Sequence, residues 1–284
     1  MCVRPALVAT YEGGEPLLLE RLVSVVDYVE LSPDSISMAT TRGLILNPEI
    51  LTELRGVLRG TEFVVHGVGL SIASAEGYSE AYVALLEDLV SQLPVIWHSE
   101  HLGFTTVEGE HLGTMLPPPR TREALDLISL RIRALHERFR IPFGLEHIVR
   151  LLPDYPGEYS EAEFLNQLAK DSGCDLVLDI YNLECDRENV GLDVDRFLRE
   201  LDLSRVREIH LAGGIRERGF RLDVHSRLVA DSTLELAGTV LPHTPNLRAV
   251  TFEFLKEAIP YLGHDAISGE LRRVRETLLD GHAR

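Results

Sequence analysis

Six short apolar runs in this chain each end on a side chain that can ligate a metal. The endings are His66 after EFVV, Glu100-His101 after PVIWHS, Glu146 after PFGL, Asp179 after DLVL, His210 after VREI and Glu253 after AVTF. Imidazole and carboxylate donors without thiolates suit iron, manganese or catalytic zinc rather than a structural zinc knot. One His or Glu at the end of such a run is ordinarily a hydrogen-bonded structural residue. Six in succession resist that reading, because buried charges must be paired or coordinated. Asp223 and His225 follow in the segment after His210, and Asn182 sits one short loop beyond Asp179. His66, His101, His210 and His225 with Glu146, Asp179, Asp223 and Glu253 make four histidines and four carboxylates, a supply sufficient for two or three ions with bridging carboxylates.

Some assignments stay open at this level. Period-two spacing lets Asp223 and His225 point the same way in an extended segment; the rival reading is a helix-capping Asp beside a surface His. In HSEH, His98 and Glu100 share parity while His101 takes the opposite face, and Glu100 could orient a ligand. His101 is preferred as the ligand. Glu30, ending another apolar run, could line the pocket or be a surface carboxylate.

The elements that must position these residues read as strands at about 3–10, 26–31, 62–67, 94–99, 142–146, 175–179, 206–211 and 249–254. They are short, β-branched and apolar on both faces, as buried parallel strands are. Helices lie between them. Asn47-Pro48 supplies a cap and a first-turn proline, and Ser160/Glu163 and Ser232/Glu235 have capping-box spacing. The stretch 123–139 carries an amphipathic stripe through Leu127, Leu130 and Leu135, and 269–279 reads as a final helix. Eight strand–helix units without a linker predict one α/β domain over 1–284, a single (β/α)8 TIM barrel. The Pro117-Pro118-Pro119 run falls inside a strand-to-helix loop. Barrels of this type place chemistry at the carboxyl ends of their strands. Gly67-x-Gly69 and Gly213-Gly214 are read as backbone turning tightly beside a crowded site. No Walker-type loop or nucleophile elbow is present.

Lys plus Arg is 28 against 45 Asp plus Glu, a formal net charge of -17. Such a field opposes nucleic acid unless a basic patch overrides it, and none is visible. No run approaches the roughly 18 apolar residues of a membrane span. The start, MCVRPALVATYEGG, has neither a basic stretch nor a cleavage pattern, which predicts a cytoplasmic chain. Cys2, Cys174 and Cys185 are too few and wrongly spaced for a disulfide framework or thiolate zinc site. Cys174 reads as a small buried hydrophobe.

HGVGLSI (66–72), SEHL (99–102), LE (145–146), LDIYN (178–182), EIHLAG (208–213), LDVHS (222–226) and FEF (252–254) resemble the motifs of the multinuclear non-heme iron-dependent oxidases, from about residue 60 to 255. The resemblance implies a barrel holding two or three irons in mixed Fe(II)/Fe(III) states. It implies dioxygen as co-substrate, a ribosomally made precursor peptide modified at a residue that is often cysteine, and a small partner protein that presents the peptide. By position it implies His66, His101, Glu146, Asp179, Asn182, His210, Asp223, His225 and Glu253 as ligands. His147 stands where Asn is usual, Tyr181 where Asn is common, and the loop 214–221 is less typical.

Three other readings compete. The ligand order is similar to that of trinuclear zinc endonucleases, but those have a His at the place of Asn182 and must grip DNA. A sugar isomerase on the same barrel needs a lysine near a strand end, and none is there. A non-catalytic metal-binding protein leaves the barrel-mouth pocket unexplained.

Overall fold

The computed structural model describes residues 4–41, 43–57, 60–153 and 157–280. Cys2 and Val3, the first residue of the expected first strand, lie outside them. Eight parallel strands close into a barrel: β1 (Ala6–Tyr11), β2 (Tyr28–Leu31), β3 (Glu62–Gly67), β4 (Val95–His101), β5 (Phe143–Glu146), β6 (Asp175–Asp179), β7 (Val206–Leu211) and β8 (Ala249–Phe252). Each strand pairs only with its neighbours in sequence, and β8 pairs back onto β1 through Ala6↔Ala249 to Ala9↔Phe252. All eight expected strands are present. β4 runs two residues past the expected end, which carries the alternation through to His101.

Helices α1 (Pro16–Leu22), α2 (Pro48–Val57), α3 (Glu80–Gln92), α4 (Arg122–Phe139), α5 (Glu161–Ser172), α6 (Ile180–Asn189), α7 (Val194–Glu200), α8 (Asp231–Val240), α9 (Ile259–Leu262) and α10 (His264–Val274) lie between and after the strands. Asn47 Oδ1 accepts the amide of Glu49 at 2.9 Å, starting α2. Ser160 and Glu163 form the reciprocal capping box of α5. Ser232 does not: α8 begins at Asp231 behind Ala230, two residues earlier than that box requires, and the Ser232 hydroxyl donates to Glu184 at 2.9 Å. In α4 the core-facing stripe is Leu125, Ile128, Ile132 and Leu135, while Leu130 is 60% exposed and points away. That stripe steps by three or four residues, as one face of a 3.6-residue repeat must.

Most of the apolar core lies between the outward faces of the strands and the helices. Inside the barrel, apolar packing is confined to a small cluster of Val8, Val64, Trp97 and Ala249 with Tyr28, toward the amino ends of the strands. The carboxyl end is left for polar residues. Three antiparallel hairpins that read only as loops follow β2, β4 and β7 directly: Ser37–Thr40 with Gly43–Leu46, Phe104–Val107 with Glu110–Leu116, and Ile215–Glu217 with Phe220–Leu222. They rim the mouth. Among the described residues no helix is long and apolar enough to cross a membrane.

Candidate metal centre

Strand alternation builds the site. On β3, Val64 and His66 share the inward face; on β4 it is Trp97, Ser99 and His101; on β7, Glu208 and His210. Glu146, Asp179 and Glu253 arrive from β5, from β6 and from the residue after β8. Glu146 is the hub. Its Oε2 lies 2.9 Å from His66 Nε2, 3.3 Å from His210 Nδ1 and 3.9 Å from His101 Nε2. Glu253 Oε2 lies 3.2 Å from His210 Nδ1 and 3.8 Å from His225 Nε2, which is 2.9 Å from the Asp223 carboxylate.

These atoms form overlapping triads: His66–His101–Glu146, Glu146–Asp179–His210 and Asp179–His225–Glu253, the donor atoms of each within 4.8 Å of one another. Successive triads share Glu146 and then Asp179, as bridging carboxylates between adjacent ions would. His66 Nε2, Glu146 Oε2, Asp179 Oδ2, Asn182 Oδ1, Asp223 Oδ1, Glu253 Oε2 and both His210 nitrogens are buried and make no hydrogen bond. Each ionised group left so would cost several kcal/mol. Buried imidazoles and carboxylates that converge on one another without a hydrogen bond for these atoms are what a set of cations satisfies, so the residues fit the metal.

The supporting contacts fix which atoms face the centre. Ser99 Oγ donates to the Val65 carbonyl at 3.3 Å and lies 2.9 Å from His66 Nδ1, which leaves Nε2 inward. His101 Nδ1 donates to the Gly67 carbonyl at 2.9 Å, with the same result. Asp179 Oδ1 caps α6 by accepting the Asn182 amide at 2.7 Å, freeing Oδ2. Asn182 Nδ2 donates to Glu146 Oε1 at 3.0 Å and to the His147 carbonyl at 3.2 Å, which turns its Oδ1 free. Such second contacts orient ligands and set their basicity.

The side chains of the cluster shift one another's proton affinities strongly. Burial and the neighbouring Asp223, Glu146 and Glu253 push Asp179 well above the carboxylate range. Burial would also raise Glu146, but His101, His210 and His66 hold it well below that range. Glu253, against the same burial, is held at about 2 by His210 and His225. Burial would lower His210, yet Glu253, Glu146 and Glu30 raise it well above the imidazole range. His225 rises in the same way beside Asp223 and Glu253. One cluster thus holds protons on some groups and strips them from others.

The geometry revises several sequence readings. His98 and Glu100 face away from the axis and pair at 2.6 Å; His98 packs on Phe139 and Phe143. Glu100 therefore orients no ligand of the cluster. Glu30 is no surface carboxylate: it is 1% exposed, accepts from Thr10 Oγ1 at 3.1 Å and groups with His66 and His210. Asp223 and His225 meet without an extended strand, because His225 takes a left-handed backbone with φ 44°. Gly67 and Gly69 need no positive φ. A Cβ on Gly67 would overlap Tyr82 Oη and Glu100, and one on Gly69 would overlap Asp34. Cys174 is buried as expected, its thiol pushed up to about 12 chiefly by burial.

Glu208 escaped the sequence reading. Buried on the floor of the site, it accepts from Trp97 Nε1 at 2.8 Å and lies 3.6 Å from His210 Nε2. Its position two residues before His210 was the available signal.

The fold and site together define a (β/α)8 barrel with a His/carboxylate cluster at the carboxyl ends of its strands. Fold likeness is broad: the D-psicose 3-epimerase of Clostridium cellulolyticum H10, solved with D-tagatose, superposes with a TM-score of 0.59 over 96% of this chain and 99% of its own at 13% identity. The IolI protein with a bound zinc atom gives 0.61 over 98% and 100% at 13% identity. At that identity the likeness is one of fold. The chain belongs to the family described as RiPP precursor modification enzyme MbnB/TglH/ChrH, whose profile matches residues 15–278. That match extends well beyond the 60–255 carried by the motifs. Relatives include a UPF0276 protein of Anaeromyxobacter sp. strain Fw109-5, 33% identical over 74% of this chain and 72% of its own. Another, from Caulobacter vibrioides strain NA1000, is 30% identical over 75% and 73%.

Proposed function

We propose that this chain is a multinuclear non-heme iron oxidase that uses dioxygen to modify a residue, cysteine above all, of a ribosomally made precursor peptide presented by a small partner protein. The single observation that carries the multinuclear reading is the sharing of Glu146 and Asp179 between adjacent triads. His66, His101 and Glu146 would hold one ion, Glu146, Asp179, His210 and Glu253 a second, and Asp179, Asp223, His225 and Glu253 a third, with Asn182 beside the bridge. When bound, the irons supply one-electron chemistry and a binding place for dioxygen.

The protein's own part is access and shielding. His210 and Asp179 are fully enclosed, whereas the side chains of His101, Asp223 and His225 are 19%, 17% and 17% exposed. A substrate side chain would enter along that edge. The peptide reading rests on the family's description. The acidic surface suits a peptide better than DNA, and the two lysines, Lys170 and Lys256, are both exposed, outside the cluster, which counts against isomerase chemistry.

The test is elemental analysis and electron paramagnetic resonance of anaerobically purified protein. Dioxygen uptake is then measured with a candidate precursor peptide and its partner. Two or more irons and peptide-dependent uptake are expected. Zinc alone, with no uptake in any sample, would overturn the reading.

A further inference from the structure

Asp223 and His225 are unlike the other candidate ligands, because neither a barrel strand, the residue directly after one, nor a helix carries them. They follow the hairpin Ile215–Leu222 in a segment without regular structure. His225 holds a left-handed backbone, φ 44°, a conformation that costs a side-chain-bearing residue about 1–3 kcal/mol and persists only where its surroundings impose it. Something must supply the rigidity that a strand gives elsewhere.

The structure supplies it from α6. The Arg221 guanidinium lies 4.5 Å above the ring centroid of Tyr181, a cation–π stack. The same guanidinium donates to Glu184 and to Glu188, each at 2.9 Å. Asn189 brackets the Arg221 backbone, accepting from its amide at 2.8 Å and donating to its carbonyl at 2.9 Å. Tyr181 Oη donates to the Leu222 carbonyl at 3.4 Å. Gly214 fits beneath, since a Cβ there would overlap the Leu222 carbonyl. Glu184 is itself buried and tied to Ser232 and Thr233 at the start of α8. Tyr181 sits between Asp179 and Asn182, and Arg221 sits two residues before Asp223. The stack therefore joins two donor-bearing segments side by side.

We infer that Tyr181 and Arg221 are positioning residues for the outermost ion, clamping the hairpin to α6 so that Asp223 and His225 stay opposed to Asp179 and Glu253. Neither touches the reacting atoms. The inference rests on the metal-centre reading and adds to it a division of labour. The inner donors are held by the barrel. The outer pair is held behind by the Ser226 amide on the Gly213 carbonyl at 2.7 Å and the Leu255 amide on the His225 carbonyl at 3.1 Å, and in front by the aromatic–guanidinium stack on α6. Residues that orient ligands in this way typically change metal affinity by about 10- to 100-fold when replaced.

The experiment is anaerobic titration of the full chain with Fe(II), and separately with Zn(II), against a chelator of known affinity. Thermal melting is followed on the same samples. Tyr181→Asn and Arg221→Lys are each expected to lower the affinity of one ion by about 10- to 100-fold while the remaining ions bind as in wild type. Tyr181→Phe, which keeps the ring but not the hydroxyl, should stay within roughly threefold of wild type. Arg221→Lys keeps the charge but not the stacked plane, so it carries the expectation if Tyr181→Asn fails to fold. Wild type with its full complement, and folded Tyr181→Asn or Arg221→Lys variants that match it, overturn the clamp alone. Wild type that takes up at most one ion overturns the cluster and the clamp together. A uniform loss of every ion, with a lowered melting point, would make the stack a general fold contact and also overturn the inference.

Discussion

At the residue scale, adjacent side chains on one strand have different tasks. Glu100 and His101 are neighbours, yet one packs into the helix layer and the other faces the cluster. Glu146→Gln removes the carboxylate shared by two triads, so it should weaken metal uptake by more than about 100-fold, beyond what losing a supporting contact costs. Glu100→Gln should leave uptake unchanged and destabilise by about 1–3 kcal/mol, because it disturbs the buried hydrogen bond to His98. Elemental analysis and urea denaturation separate the two; equal metal loss in both variants would contradict the assignment. Gly67→Ala should cost about 1–3 kcal/mol by overpacking against Tyr82 and Glu100, read as a shifted urea midpoint with an unchanged slope. The clustered side chains of the barrel strands were legible because the apolar runs ended on them. Glu30, Glu208 and Ser99 were harder to read, since a carboxylate or hydroxyl inside a strand has no special type; only its parity with a ligand marks it.

At the element scale, the sequence carried the strands better than their connections. Eight apolar runs with β-branched residues leave little choice of structure, and closure follows from their number. The hairpins after β2, β4 and β7 were invisible because their strands lie at the rim without a buried face to impose alternation. The failed capping box shows a related limit. Ser232 has the right spacing, but buried Glu184 competes for its hydroxyl. Thr121, whose side chain accepts the Ala124 amide at 3.3 Å, does cap α4. Thr121→Ala should therefore cost about 1 kcal/mol in urea denaturation, with metal content unaffected; a change in metal content would mean that α4 bears on the site.

At the scale of the whole molecule, the polar end of the barrel should make stability depend on metal occupancy under the proposed function. An ion at about 1,000 times its dissociation constant adds ~4 kcal/mol to the folded state, worth roughly 10 °C in a chain of this size. Chelation should lower the melting point accordingly, and readdition should restore it. Protons compete for the same places. His210 and His225 hold theirs well above the imidazole range when no cation is present. Ion binding must displace those protons, so affinity falls as pH falls, and loading should acidify a weakly buffered solution. A pH electrode during titration checks the sign.

Because every second residue of a barrel strand faces the cluster and its neighbour faces the helices, strand length is a reading frame. A one-residue deletion within β3 or β7 would exchange the two sets, sending apolar side chains to the mouth and histidine into the greasy annulus, and one within β4 would turn His98 and Glu100 inward in place of Ser99 and His101. The hairpins that follow β2 and β4 are under no such constraint, since their strands lie outside the barrel. Length variation compatible with folding should therefore collect at those two hairpins, while the strands tolerate substitution but not insertion. A scan of single-residue insertions, scored by soluble yield and metal content, would map that division along the chain.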